Sequence, residues 1–406
     1  MQTNPKNNRN PSFSAVQARR NGWPSTKYWI ILFTTLALLV SMTVSLVIVL
    51  CIEPDDDVPG PSFSDSEIGN KDSSGGSGSI VNNNTIVKTK TGIKLPCATV
   101  GGSYLSSPAS NVSKIEGIDS DCAILVDING NVSVAEKNAD TLVHPASLTK
   151  VMTLLVACEN VQNGGALLTV TQEMLDRRKQ LDGSGELVDN TSALNSEDDV
   201  EIVQIVGKSV TVEDALYLIN YQSDTVSCLM IAEHVAGSEE AFVAKMNAKA
   251  SQMGLSMNTN FVNCTGLTEK GGAYNTTTAR DMAAIMACAL KNETARTIIT
   301  SYDKYVADIY ENGKKTEYTI PFFADWQNYP KRLNGNTKAG NVNILGGKTG
   351  YEDIPSSCFV TYGKNVKTGK EYVCVTIGKY IGSSTADVYN APSTEDTRTV
   401  YKNYAK

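Results

Sequence analysis

Ser147 and Lys150 stand three residues apart in the run Pro145-Ala146-Ser147-Leu148-Thr149-Lys150. On a helix that spacing stacks the two side chains on one face. An amine within reach of a hydroxyl can take its proton once the lysine is neutral, and burial beside a second cation favours the neutral form. Pro145 suits the first helical turn, where the backbone N–H has no helical partner to lose. The helix N-terminus adds positive potential and free N–H groups, which suit a developing oxyanion. Val151, Leu154, Leu155 and Cys158 recur at helical spacing and predict that this helix is buried.

The pattern is not unique in the chain, because Ser301-Tyr302-Asp303-Lys304 repeats it. A second motif, Lys-Thr-Gly, occurs three times. Lys90-Thr91-Gly92 precedes the serine, and Lys367-Thr368-Gly369 reads as a turn between two strands. Only Lys348-Thr349-Gly350 follows Gly346-Gly347 and precedes a strand, so it is the copy to pair with Ser147.

Other chemistries are poorly supplied. The chain has two histidines, His144 and His234, which excludes a multi-histidine metal site and leaves little room for a Ser-His-Asp triad. His144 reads as a residue leading into the serine helix, and His234, inside an apolar helical run, as a core histidine. Nine cysteines contain no Cys-x-x-Cys pair; Cys158, Cys228, Cys288 and Cys374 fall in apolar runs, as buried thiols do. Neither a metal nor a cofactor is expected. Net charge is −7, with no basic cluster beyond the N-terminal tail, so no nucleic-acid surface is expected.

These residues need a scaffold, and its order is legible. Residues 1–27 carry Lys6, Arg9, Arg19, Arg20 and Lys27 with no acids. The uncharged run that follows predicts a transmembrane signal anchor over 28–52, with the basic tail cytoplasmic and the remainder outside. Residues 53–118 are rich in Asp, Ser, Gly and Asn and read as a flexible linker. The folded domain is expected over 119–406. Asp127-Ile128-Asn129-Gly130 between two apolar runs predicts a hairpin. The serine helix follows, and then a polar, acidic surface excursion over 171–209. Helices are predicted at 211–221, opened by the capping box Thr211-Val212-Glu213-Asp214, and at 226–236, 239–253 and 278–290. Strands are predicted at 305–311, 315–320, 343–349, 357–362 and 371–377, with a last helix at 393–405. This is an α+β arrangement with a mostly antiparallel sheet flanked by helices and a helical subdomain.

With those motifs in order, the chain resembles the serine D-Ala-D-Ala carboxypeptidases, the low-molecular-weight penicillin-binding proteins. Ala139-Asp140 ahead of Pro145-Ala146-Ser147-Leu148-Thr149-Lys150, the run Ala232-Glu233-His234-Val235-Ala236-Gly237, and Asn263-Cys264-Thr265-Gly266-Leu267 with Thr278-Ala279-Arg280-Asp281 carry the likeness. Leu345-Gly346-Gly347-Lys348-Thr349-Gly350-Tyr351 completes it. The resemblance implies a β-lactamase/transpeptidase-like fold in a bacterial cell membrane protein. It implies Ser147 as nucleophile, Lys150 as its base and Ser223 as the group passing a proton to the leaving amine. It also implies Lys348 and Thr349 at the substrate carboxylate, with Gly350 beside them and Tyr351 lending a backbone N–H to the oxyanion. The implied partners are peptidoglycan stem peptides ending in D-Ala-D-Ala and, as covalent inhibitors, β-lactams.

One motif departs from the family. Ser223-Asp224-Thr225 takes the Ser-x-Asn place, with Thr225 where an amide is expected. A hydroxyl offers one donor, an amide two donors and an acceptor. A class A β-lactamase would need a deacylating glutamate in a Glu-x-x-Leu-Asn run, and none occurs between the second and third motifs. A non-catalytic scaffold with this fold is the other alternative, motivated by Thr225.

Overall fold

Cys122-Ala123-Ile124-Leu125-Val126 is apolar throughout, and a strand of that kind has to be covered on both faces. In the structure, a computed structural model that describes residues 90–95, 97, 99, 107–181, 206–301, 305–320, 337–352, 356–378 and 392–406, it is covered in that way. The first part of the chain contains β1 (Ser107–Lys114), β2 (Cys122–Asp127), β3 (Val132–Lys137), a 3-10 turn (Ala146–Leu148), α1 (Thr149–Asn160), β4 (Leu167–Thr169) and α2 (Gln172–Gln180). Then come β5 (Ser209–Thr211), α3 (Val212–Tyr221), α4 (Thr225–Ala236), α5 (Glu239–Gln252), α6 (Ala279–Lys291) and α7 (Glu293–Thr300). The last elements are β6 (Tyr305–Glu311), β7 (Lys314–Ile320), β8 (Lys338–Ala339), β9 (Val342–Glu352), β10 (Ser356–Asn365), β11 (Glu371–Ile377) and α8 (Pro392–Tyr404).

The main sheet has seven strands in the order β1-β3-β2-β11-β10-β9-β8, and β4-β5-β6-β7 form a second. Only β1 and β3 run parallel; the other pairings are antiparallel. Every residue of β2 is buried, and its side chains split between two cores. Cys122, Ile124 and Val126 join the large cluster around α1, α3, α4 and α6. Ala123 and Leu125 face the other side with Phe359, Tyr372, Val400 and Tyr401. Helices α6 and α8 both pack on β11, from opposite faces of the sheet.

Helix ends follow local chemistry. Thr211 Oγ1 accepts from Asp214 N at 3.0 Å, as a capping residue should, and donates to the Asp214 carboxylate at 2.6 Å. Thr278 Oγ1 likewise accepts from Asp281 N at 3.0 Å at the start of α6. Asp224 caps α4, and Gly237 ends it in the left-handed conformation at φ 79°.

Three expectations need correcting. The linker read over 53–118 is ordered at its far end. Ser107-Pro108-Ala109-Ser110-Asn111-Val112-Ser113-Lys114 forms β1, whose polar composition hid an edge strand beside β3. Residues 90–95 also dock. Lys90 Nζ lies 2.8 Å from Asp214 and 3.2 Å from Asp308, while Ile93 and Leu95 pack on the main core. The excursion read over 171–209 contains α2, capped by Thr171, and part of β5; residues 182–205 lie outside the described residues. His234 is exposed, because the last turn of α4 runs beyond the core that Leu229, Met230 and Ile231 enter: none of residues 233–236 is buried. The expected hairpin forms between β2 and β3, with a turn over residues 128–131. Asp127 Oδ1 accepts from Asn129 N and Gly130 N, and Asn131 takes the left-handed conformation at φ 51°.

Among the described residues no helix is long and apolar enough to cross a membrane. The anchor expected at 28–52, and the rest of the tail and linker before residue 90, lie outside those residues.

Candidate active site

Ser147 sits in the 3-10 turn that opens α1, and Lys150 in the first turn of that helix. Ten of the twelve residues of α1 are buried, Lys150 among them at 2% exposure. Its Nζ lies 3.2 Å from Ser147 Oγ and donates to the Thr265 carbonyl at 2.6 Å. A four-carbon amine with two oxygens at hydrogen-bond distance is held in one place, which is the requirement for directed proton transfer.

The residue before the serine is strained. Ala146 has φ 47° and is fully buried, a conformation that costs an alanine on the order of 1 kcal/mol. Gly266 presses on it from the other side. A Cβ at Gly266 would stand 2.0 Å from the Ala146 carbonyl oxygen, and φ is +84° there, so only glycine fits. The segment carrying Gly266 is fixed by Asn263, whose Oδ1 accepts from Thr265 N at 3.1 Å and Gly266 N at 2.8 Å. The same segment presents the Thr265 carbonyl to Lys150.

The second half of the site comes from the α3–α4 turn and β9. Ser223 has φ 54° and is buried. Its Oγ accepts from Lys348 Nζ at 3.1 Å, and Lys348 also donates to the Thr349 carbonyl at 2.9 Å. Lys348 and Thr349 are 2% and 1% exposed. Strand β9 packs on the serine turn. A Cβ at Gly350 would stand 3.2 Å from Ser147 N, so Gly350 borders the Ser147 backbone; Tyr351 follows it on β9. Gly346 permits the strand to pass α7, where a Cβ would meet the Ile299 carbonyl oxygen at 2.4 Å.

Thr225 is the first residue of α4 and is 1% exposed. Its neighbour Asp224 is fully buried, accepting from Val226 N at 3.1 Å and Ser227 Oγ at 2.6 Å. Burial pushes the Asp224 carboxyl above the usual range, against the opposing pull of the Ser227 hydrogen bond and the positive charges of Arg178 and Lys150.

Ser147 and Lys150 therefore meet, as do Ser223 and Lys348, with Gly350 joining β9 to the serine turn. The second Ser-x-x-Lys is not part of this cluster in what is described. Ser301 Oγ accepts from the Tyr221 hydroxyl at 3.0 Å, and Lys304 lies outside the described residues. The sequence reading passed over Thr265 and Asp224 as participants and saw His144 only as a helix leader. The contacts of Thr265 and His144 bridge segments far apart in the chain, those of Asp224 are local caps, and Asn263-Cys264-Thr265-Gly266-Leu267 entered only as a family likeness. A groove of about 510 Å³ between α2, α4 and α5 shares no residue with this cluster.

The fold that brings these Ser–Lys pairs together is transpeptidase-like. The Streptomyces K15 DD-transpeptidase superposes with TM-score 0.54 at 24% identity, covering 72% of this chain and 99% of that one. The D-alanyl-D-alanine carboxypeptidase of Mycobacterium tuberculosis H37Rv does so with TM-score 0.51 at 20% identity, covering 73% and 97%. At such identities the likeness is one of fold. The family follows from sequence: the D-alanyl-D-alanine carboxypeptidase family model matches residues 109–380, and the chain belongs to that family. DacA of Escherichia coli K12 is 31% identical over 238 residues, covering 58% of this chain and 51% of that protein. DacF of Bacillus subtilis 168 is 28% identical over 242 residues, covering 60% and 53%. The chain thus spans about half the length of these curated relatives.

Proposed function

We propose that this chain is a serine D,D-carboxypeptidase that removes the terminal D-alanine from peptidoglycan stem peptides through an acyl-enzyme on Ser147. The observation that carries this reading is the Lys150 amine 3.2 Å from the Ser147 hydroxyl, with a second amine, Lys348, holding Ser223.

Lys150, as the free amine, takes the Ser147 proton while Oγ attacks the carbonyl between the two D-alanines. The backbone N–H groups of Ser147 and Tyr351 receive the oxyanion; the close approach of Gly350 to Ser147 N supports that pairing. Ser223 relays a proton to the leaving amine, and Lys348 and Thr349 bind the departing residue's carboxylate. Water then releases the shortened peptide. A β-lactam presents the same carbonyl and carboxylate and acylates Ser147. The uncharged run at 28–52 behind a basic tail supports a single-pass anchor that keeps the domain at the bacterial membrane, facing outward.

The test is a gel with fluorescent penicillin alongside a D-alanine release assay on a D-Ala-D-Ala peptide. Wild-type protein should label and release D-alanine. Ser147→Ala should do neither, whereas Ser301→Ala should retain both. Labelling that survives Ser147→Ala would place the chemistry elsewhere.

A further inference from the structure

His144 stands three residues before Ser147, is buried, and takes no part in the steps above. Its Nδ1 accepts the Ala146 N–H at 2.9 Å, a contact from residue i to i+2 that mimics an Asx turn. Because Nδ1 accepts, the ring proton sits on Nε2, which lies 3.2 Å from Thr268 Oγ1 and donates to it. Tyr274 stacks on the imidazole, with ring centres 4.9 Å apart and planes 7° from parallel. Each ring nitrogen is thus committed to one partner.

What it holds matters. The Ala146 N–H belongs to the strained residue whose left-handed backbone aims the next residue, Ser147. Thr268 lies two residues beyond Gly266, which presses on the Ala146 carbonyl, and three beyond Thr265, which accepts from Lys150. His144 therefore ties the turn that carries Ser147 to the segment whose Thr265 carbonyl accepts from Lys150. Burial holds the imidazole well below its ordinary value, at about 4, so the accepting lone pair persists at neutral pH.

We propose that His144 is a positioning residue: by accepting the Ala146 N–H and donating to Thr268, it keeps the Ser147 hydroxyl in line with the Lys150 amine. This rests on Ser147 being the nucleophile.

The experiment measures acylation rates with fluorescent penicillin, and kcat and KM for D-alanine release, on the full chain. Wild type is compared with His144→Ala, His144→Leu, His144→Asn and Ser147→Ala. Asparagine can accept an N–H two residues on through Oδ1, as Nδ1 does, though its amide is too short to reach Thr268; leucine fills space beside Tyr274 without an acceptor. Loss of one held hydrogen bond in the reacting geometry should slow acylation and kcat about tenfold in His144→Leu and His144→Ala, with KM little changed. His144→Asn should recover to within about threefold of wild type. Should His144→Ala fail to fold, the Leu–Asn pair still decides. Equal rates in those two variants, or a wild-type rate in His144→Leu, would overturn the proposal. An unlabelled wild type, or labelling that persists in Ser147→Ala, would instead overturn the nucleophile assignment beneath it.

Discussion

Thr225 is the side chain on which the strength of the activity turns. In the proposed reaction, attack on the carbonyl uses Ser147, Lys150 and backbone donors, and none of these depends on the missing amide. Placement of the substrate does. Losing one hydrogen bond to a bound carbonyl costs on the order of 1–3 kcal/mol, roughly ten- to a hundredfold in rate. Thr225→Asn should therefore raise kcat/KM for D-alanine release while changing penicillin labelling much less. Labelling without release in both forms would favour a scaffold. His144 sets a pH dependence as well. Its folded-state value, about 4, lies below the ordinary 6.5, so the unfolded chain binds the proton first as pH falls. The stability from the neutral ring is complete above about 6.5 and drains away as pH falls to 4, by at most about 3 kcal/mol. Urea midpoints measured between pH 7 and 4.5 should fall, and less so in His144→Asn. Ser147, Lys150 and Lys348 were legible because fixed local spacing marks them. Thr265 was not, since Lys150 reaches it across 115 positions, a distance no window of sequence spans.

Helices and strands were read well where period and capping agreed, as at Thr211 and Thr278. They were missed where polarity masked them, as in β1 and in α2, whose Arg177 is spent on ion pairs with Glu239 at 2.5 Å and Glu269 at 2.7 Å. The turn that opens α1 depends on close backbone approach rather than on apolar area. Gly266→Ala puts a methyl where the Ala146 carbonyl already is, at a backbone angle alanine resists. Such overpacking costs on the order of 1–3 kcal/mol, and here the displaced atoms are those beside Ser147. A loss of more than tenfold in acylation rate, larger than the fall in thermal midpoint suggests, is expected. Unchanged acylation would mean that the turn yields at no cost to the site.

Lys90 ties the first of the described residues to the domain. It is the nearest cation to Asp214, and with Lys315 it neutralises Asp308. The Glu213 carboxylate accepts from the backbone of Lys90 and Thr91. Asp214 and Glu213 are 0% and 1% exposed, so removing their partners leaves buried carboxylates poorly compensated. Lys90→Met should destabilise the domain by about 2 kcal/mol, seen as a lower denaturant midpoint with an unchanged m-value. A truncation beginning at 107 should be worse, although it retains all of the stretch that the family model matches.

The order of strands in the main sheet has a consequence in time. Lys348 follows Lys150 by roughly 200 positions, and β9, which carries it, sits between β8 and β10. At ribosomal speeds of about 5–20 residues per second, the nucleophile and its base emerge on the order of 10–40 seconds before their counterpart. On the proposed function, a nascent chain should therefore be chemically silent towards both peptide and penicillin. Pulse-labelled polypeptides stalled before residue 340 should take up no penicillin, and the first labelled species should already contain β9.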